Sequence, residues 1–585
     1  MSQKPVEQPT TAADASAAVL PASALPTLHV SRTWPQVFQG QARKSLESSL
    51  PRLLVARRWF GGKAKPIRTA TIADVVPMQL GEGDEEVALT LIHVDYVNEE
   101  PETYVMPLAF AAGDRAAQWI ADQSPALVAH VRVRPEGKAE HGTAEEGVLY
   151  DAFGDEQFSQ ILLDTIASRR RFAGTEGKLQ GQPTRSFRGL RGPVEEHLTS
   201  RALKVEQSNS SVVYGDRLLL KLFRRIEEGV NPDLEIGLFL TDVARFPHMA
   251  PLAGGIEYRN RAGATSTLAI LQGFVRNEGD AWTYTLDAVY RFFEQVRAKY
   301  RTIPAEGWEL PKIGLVCLAE QKLPPLAVDM CDAYLESAAL LGQRTAEFHL
   351  ALATATDNPD FAPEPFSELY QQSLYQAMRG AARRTFRLLR GKLKQFPDEV
   401  CEELQTVLVV EQEILDGFRR IVGRKIGGAR IRCHGDYHLG QVLFTGKDFV
   451  IIDFEGEPSR KISERRIKRS PLRDVAGMIR SFDYASQSIL LNQLSGIVHK
   501  DELPTFQRWA QFWSLWTSVR FLQTYLQTVG DSTFIPQSRD EVQLLLDVFL
   551  LEKAVYELDY ELNNRPSWVR VPVQGILRTL EWNPP

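Results

Sequence analysis

The sequence predicts an α+β fold of two lobes, a strand-bearing one followed by a mainly helical one, and three observations predict it. A β-hairpin with a polar loop before it and a lysine in its second strand occupies Val205 to Phe223. A polar loop-and-strand unit, C-H-G-D-Y-H-L-G-Q-V-L and then I-I-D-F-E, occupies Cys433 to Glu455. Helical periodicity of the apolar residues resumes near Tyr284 and again after Ser470-Pro471.

Size and composition set the frame. At 585 residues the chain exceeds one hydrophobic core and should divide into three or four units, at ~150 residues each. A hydrophobic share of 44% and a charged share of 24% are those of an ordinary soluble globular protein. A net charge of -6 gives no basic field for nucleic acid, and no apolar run is long enough for a membrane helix. Cys317, Cys331, Cys401 and Cys433 lie far apart without a C-x-x-C pair, so neither a zinc site nor a disulfide framework is expected, and a reducing cytoplasm fits. The first 27 residues, rich in Ala, Pro, Ser and Thr, read as a flexible tail.

In the hairpin, Gly215-Asp216 is the turn and Arg217 to Phe223 the returning strand. Lys221 inside that apolar strand is costly to bury without a carboxylate partner. Asn231-Pro232 opens a helix, and Glu235, one turn in, is the expected partner. Lys221 would then hold ATP phosphates, although a lysine snorkelling from an edge strand and an exposed helix glutamate would give the same letters. The phosphate cover would be Gln207 to Ser211, with Ser208, Asn209 and Ser210 offering backbone and side-chain donors in place of a glycine-rich loop. Ser266 to Phe274 reads as a strand whose end, at Gln272, would face the adenine; Asp280 and Trp282 would cap and pack the helix that follows.

In the second unit, Arg430 to Cys433 and Phe449 to Ile452 are short strands and Thr445 to Asp448 is a turn. Asp436 then lies in a loop and Asp453 at a strand end. Phosphoryl transfer requires one carboxylate to accept or orient the acceptor hydroxyl, and hard oxygen ligands for Mg²⁺ on the ATP phosphates. Asp436 fits the first task, and Gln441 with Asp453 the second.

The acceptor pocket is sought further along. Residues 460 to 473 hold seven Lys or Arg against one acid, Glu464, which reads as a solvated loop or as a field attracting phosphate. Arg473 and Asp474 begin the next helix and could face the pocket, with Val475, Met478, Ile479 and Phe482 on its buried side. Tyr556 and Tyr560, and Glu557 and Glu561, each recur four apart on a C-terminal helix. They could bind a sugar by stacking and hydroxyl contacts, or form an ordinary amphipathic face. Trp568 and Arg565 share that ambiguity. His438 could meet the acceptor or brace the catalytic loop. Arg57 to Lys63, R-R-W-F-G-G-K, lacks a preceding strand and a following Ser or Thr, and is read as structural.

The motifs R-W-F-G-G-K (Arg58 to Lys63), Q-S-N-S-S-V-V-Y-G-D (Gln207 to Asp216), L-K-L-F-R-R (Leu220 to Arg225), N-P-D-L-E-I-G (Asn231 to Gly237), N-E-G-D-A-W (Asn277 to Trp282), D-F-E-G-E-P (Asp453 to Pro458) and Y-E-L-x-Y-E-L-x-N-R-P-x-W (Tyr556 to Trp568), together with the H-G-D segment, resemble those of the bacterial maltokinases. These are relatives of the aminoglycoside phosphotransferases within the protein-kinase-like fold. The resemblance implies a bilobal kinase fold with an N-terminal cap: tail 1–27, cap 28–145, ATP-binding lobe 146–275 and helical lobe 276–585. It implies Mg²⁺-ATP-dependent phosphorylation of maltose at its anomeric hydroxyl, giving maltose 1-phosphate for α-glucan synthesis from trehalose. Trehalose synthase would be the separate source of maltose and a possible partner. Gln441 stands where the wider superfamily has Asn, itself a maltokinase trait. The alternatives are an amino-sugar or hexose kinase, or a catalytically silent scaffold.

Overall fold

Two seven-stranded sheets build the first half of the molecule. The computed structural model describes residues 24–79, 86–134, 144–203, 209–300, 310–492 and 502–582, so Gln207 and Ser208 of the expected phosphate cover, and most of the expected tail, lie outside the described residues. The first sheet runs in the order Thr27–Val30, Leu127–Val133, Glu145–Asp151, Glu102–Ala112, Val87–Tyr96 and Ile67–Met78. Along Ile67–Met78 alternate residues Ala70, Ile72, Asp74, Val76 and Met78 are buried, the period-two pattern of a strand with one face on a core. The expected boundary at 145/146 needs correction. Strand Glu145–Asp151 pairs with Glu102–Ala112 and Leu127–Val133, so the cap sheet extends through Asp151.

The second sheet runs Arg171–Ala173, Gly177–Pro183, Leu252–Asn260, Thr265–Gly273, Leu218–Phe223, Asn209–Tyr214 and Ser200–Ala202. Leu218–Phe223 lies inside it, paired on both sides, which rules out the edge-strand reading of Lys221. Cap and lobe share one continuous apolar core. Their junction is fixed by Arg224, whose buried guanidinium pairs with Asp151 of the cap sheet at 2.9 Å and lies over the Trp59 and Phe153 rings. Trp59 belongs to the R-W-F-G-G-K segment, and that packing is the structural role read for it. Strand Arg225–Ile226 then joins the cap sheet through Tyr104 and Thr103.

A second core fills the helical half. Helices Tyr334–Leu352 and Leu503–Val529 pack closely, and Leu472–Asn492 lies against both Leu503–Val529 and Arg539–Asn564. Leu503–Val529 buries side chains on every face, as a central helix must. Gly477 lets Leu472–Asn492 abut the 433–441 loop, because a Cβ there would lie 2.6 Å from the Tyr437 carbonyl oxygen. Among the described residues no helix is long and apolar enough to cross a membrane.

Candidate active site

Lys221 projects from the second sheet into a cluster of three carboxylates, Asp233, Asp453 and Glu455. Its ammonium is 3.3 Å from Asp233 Oδ2 and contacts Asp453 and Glu455 directly. The expected partner, Glu235, is a correction. It is bound instead by Arg432 at 2.8 Å and Arg466 at 2.6 Å. Asn231 caps the helix by accepting from the Asp233 amide, which fixes Asp233 facing the strand, and at about 100° per residue Glu235 points nearly opposite. Asp453 and Glu455 both reach the Lys221 ammonium across the turn at Phe454 and Glu455. Asp453 itself has φ 67°, a left-handed conformation rare for a non-glycine residue and typical of functional turns.

Asn209 Nδ2 donates to Glu455 Oε1 at 2.8 Å, so this residue of the phosphate cover faces the cluster. Ser210 does not, because strand alternation turns it toward the cap, where its hydroxyl accepts from Arg224 Nε at 2.7 Å. Gln272 is also corrected. It is buried between Leu219 and Leu252 in the sheet, and the following Gly273 and Phe274 amides donate to the Pro251 and Arg217 carbonyls.

The loop 433–441 crosses beneath this cluster, joined to the antiparallel strands Val442–Phe444 and Phe449–Ile451. It is held by Asp474, which accepts from the His434 amide at 2.7 Å and the Gly435 amide at 3.0 Å and meets His349 Nε2 at 3.2 Å. Asp474 thus braces the loop at the edge of the cavity beside Asp436. Asp436 lies 3.6 Å from Lys553 Nζ and 3.9 Å from His438 Nε2. Burial alone would raise the Asp436 carboxyl, but Lys553, His438 and His434 hold it below the usual carboxylate range. His438 belongs to the bracing role, since its Nδ1 accepts from the Gly440 amide at 3.1 Å and caps the turn Leu439–Gln441.

The two sides differ in charge. Burial, only partly offset by Lys221, pushes the Asp233 and Glu455 carboxyls up, with the Asp453 charge adding to the rise; Asp453 stays low against its burial through Lys221 and a hydrogen bond to Gln441. Three carboxylates whose ligand oxygens lie within 4.8 Å of one another, with one ammonium between them, form a hard oxygen set short of positive charge. That set suits Mg²⁺, with Asp453, Glu455, Asp233 and the Gln441 amide as the residues able to hold it.

A cavity of about 550 Å³ opens beside Asp436. Tyr556, Arg473 and Lys553 line it, as do Glu457 and Glu552. Arg473 pairs with Glu552 at 2.9 Å, and Arg460 with Glu457 at 2.5 Å. Most of the 460–473 cations are spent on such pairs, Lys461 with Glu100, Arg465 with Glu227 and Lys468 with Glu364. Three expected sugar contacts fall elsewhere. Glu557 is turned inward onto Arg480 at 2.7 Å, Trp568 is buried against Tyr484 and Arg565, and Tyr560 stands under Arg565 outside the cavity lining. One residue along a helix is about 100° of rotation, enough to separate Tyr556 from Glu557. Asp233, Glu455 and Lys553 carry no role in the sequence reading; the D-x-E spacing of Asp453 and Glu455 is the legible signal for one of them.

The comparisons with known proteins point to phosphotransferases. The family model for the phosphotransferase enzyme family matches residues 316–456, and that for the maltokinase N-terminal cap domain matches residues 54–155. A glucosamine kinase of Streptacidiphilus jiangxiensis is 23% identical over 378 residues, 64% of this chain and 71% of that protein. A glucosamine kinase of Mycolicibacterium smegmatis is 24% identical over 375 residues, 64% of this chain and 77% of that protein. The solved structure of a glucosamine kinase in complex with glucosamine, ADP and inorganic phosphate superposes with a TM-score of 0.55 at 18% identity, covering 90% of this chain and 98% of the other. Two segments of the chain are thus similar to a phosphotransferase domain and to the maltokinase N-terminal cap domain, and the fold is kinase-like.

Proposed function

We propose that the protein transfers the γ-phosphoryl group of ATP to the anomeric hydroxyl of maltose, giving maltose 1-phosphate and ADP. The observation that carries the reading is the facing of two unlike sites: a Lys221-carboxylate cluster short of positive charge, and Asp436 at the mouth of a cavity large enough for a sugar. Lys221 binds nucleotide phosphate, and Asn209 helps hold Glu455 in the cluster. Asp436 accepts the hydrogen bond of the acceptor hydroxyl and takes its proton as the hydroxyl oxygen bonds to phosphorus and the bond to the ADP oxygen breaks. Its low pKa keeps it ionised for this. Mg²⁺ bound at Asp453, Glu455, Asp233 and Gln441 would supply charge neutralisation of the triphosphate. Arg473 and Tyr556 orient the sugar. Trehalose synthase is the proposed source of maltose, with glycogen-type α-glucan as the downstream use.

The maltokinase-type cap supports maltose. A second reading, phosphorylation of glucosamine or another hexose, is favoured by the names of the relatives. Incubation with Mg²⁺-ATP and maltose, glucose or glucosamine, with ADP release as the rate and phosphorus NMR for the position, separates the two. Maltose 1-phosphate as the main product supports the first reading; turnover confined to glucosamine replaces it with the second; no ADP release with any sugar overturns both.

A further inference from the structure

The segment that follows Glu455 supplies part of the wall of the cavity beside Asp436, through Glu457, Ser459, Arg460 and Glu464. Residues 456–461 belong to no helix or strand. Within the segment, Ser459 and Arg460 bond to Glu457, and Arg465 Nε donates back to the Arg460 carbonyl at 2.8 Å. Among the described residues, the hydrogen bonds that tie 456–461 to anything beyond Arg465 run to Arg225 and Glu100. Both lead to the cap.

Arg225 is the second arginine of L-K-L-F-R-R. Strand alternation sends Arg224 into the cap and leaves Arg225 on the opposite face. There its Nη2 donates to the Pro458 carbonyl at 2.9 Å, while its Nη1 lies 3.1 Å from Glu102 Oε1 on the cap strand Glu102–Ala112. Arg225 and Arg465 also share Glu227, at 3.4 and 2.7 Å, and the other Glu227 oxygen accepts from the Ile462 amide at 3.1 Å. The exposed Lys461–Glu100 pair adds little to this.

Glu102 is itself held from within the cap. It accepts from Lys65 Nζ at 2.8 Å and from the Tyr96 and Tyr104 hydroxyls, each at 2.6 Å. A Cβ on Gly62 would overlap the Tyr96 hydroxyl, so the second glycine of R-W-F-G-G-K is what lets Tyr96 reach this carboxylate. A chain of bonds therefore runs from that motif through Glu102 and Arg225 to Pro458, next to Glu457 in the cavity wall.

We propose that the cap positions the acceptor, with Glu102 and Arg225 fixing residues 456–461 and hence the Glu457–Arg460 wall of the cavity. Both are positioning residues, remote from the reacting atoms. The acceptor role rests on the proposed function and deepens it by giving the cap a task in it; the mechanical link from cap to segment does not depend on which sugar is bound.

The test uses the full chain with Glu102→Gln, Arg225→Met and the double variant. Arg225, with a side chain 34% exposed, can be replaced without opening the core. In Glu102→Gln, hydrogen–deuterium exchange read by mass spectrometry should quicken about three- to tenfold in peptides covering 456–465, to which Glu102 makes no hydrogen bond, and stay unchanged in the central helix Leu503–Val529. In steady-state kinetics with whichever sugar turns over, each single variant should raise the acceptor KM about three- to tenfold. The KM for ATP should change less than about twofold, because Glu455 keeps its own bonds to Lys221 and Asn209. The double variant should be no worse than Arg225→Met alone, since both act by one route. Unchanged exchange in 456–465, or acceptor and ATP KM values that rise together, overturns the proposal. A wild type that phosphorylates no sugar overturns the proposed function and the acceptor role with it, and the exchange comparison then decides the link from cap to segment by itself.

Discussion

The two sides of the cleft solve the same electrostatic problem in opposite ways. Around Lys221, three carboxylates crowd one ammonium, with the Arg465 guanidinium 4.0 Å from Glu455 as the nearest further cation in an ion pair with them, and burial pushes Asp233 and Glu455 up. Around Asp436, the carboxylates are matched: Asp436 with Lys553, Glu457 with Arg460, Glu552 with Arg473. The first side lacks a cation that a divalent metal would supply. The second pairs Asp436, Glu457 and Glu552 each with a cation and therefore suits an acceptor without charge, with its base kept ionised. On the proposed function, the difference teaches that binding the nucleotide and activating the acceptor fall to regions of unlike polarity.

Substitutions on the cation-poor side should have the largest effect. Lys221→Met or Asp453→Asn removes a charge aimed at the phosphates and should lower kcat/KM for ATP by about 10²- to 10³-fold in steady-state assays. A change below threefold in both would break the contrast between the two sides.

Next in size is the brace of the acceptor side. Asp474→Ala leaves the buried His434 and Gly435 amides without their acceptor and should destabilise the protein by about 3 kcal/mol in chemical denaturation. The Glu457–Arg460 pair, being more peripheral, should matter less.

Mg²⁺ sharpens the comparison further. At a hundredfold excess over Kd it should stabilise the wild type by about 2.7 kcal/mol, read as a rise in Tm, and Glu455→Gln should lose most of that rise. Equal rises in both would remove Glu455 from the metal site.

The smallest effect is in pH. Burial would raise Asp474, but the hydrogen bond and charge of His349, with His434, hold it low. A carboxyl depressed below its unfolded value of about 3.9 contributes stability that is complete above that pH and is lost as pH falls through the folded value. The Tm gap between wild type and Asp474→Asn should therefore stay constant from about pH 8 to pH 5 and narrow below about pH 4.

Much of the nucleotide side was legible in the sequence. Gln441 and Asp453 stand in nearby motifs whose order carries the geometry, and the hairpin Asn209–Tyr214 with Leu218–Phe223 follows from a glycine turn with φ 58° at Gly215. Two errors there have a common origin. Sequence pattern does not distinguish Glu235 from Asp233, or show that Ser210 faces the cap, because choosing between neighbours requires the rotation of a helix or the face of a strand. The cap boundary was misread because strand Glu145–Asp151 pairs with strands more than a dozen residues away, which local pattern does not encode. The acceptor side was least legible: Glu557 and Trp568 have the residue types of a sugar site, yet Arg480 and Tyr484, remote in sequence, draw them into the core.

The most direct test of the account is the kinetics of Asp436→Asn with maltose and saturating Mg²⁺-ATP. The account predicts a fall in kcat of about 10²- to 10⁴-fold with the KM for maltose little changed, because the amide keeps the shape and loses the base. A variant that retains near-native turnover would contradict it.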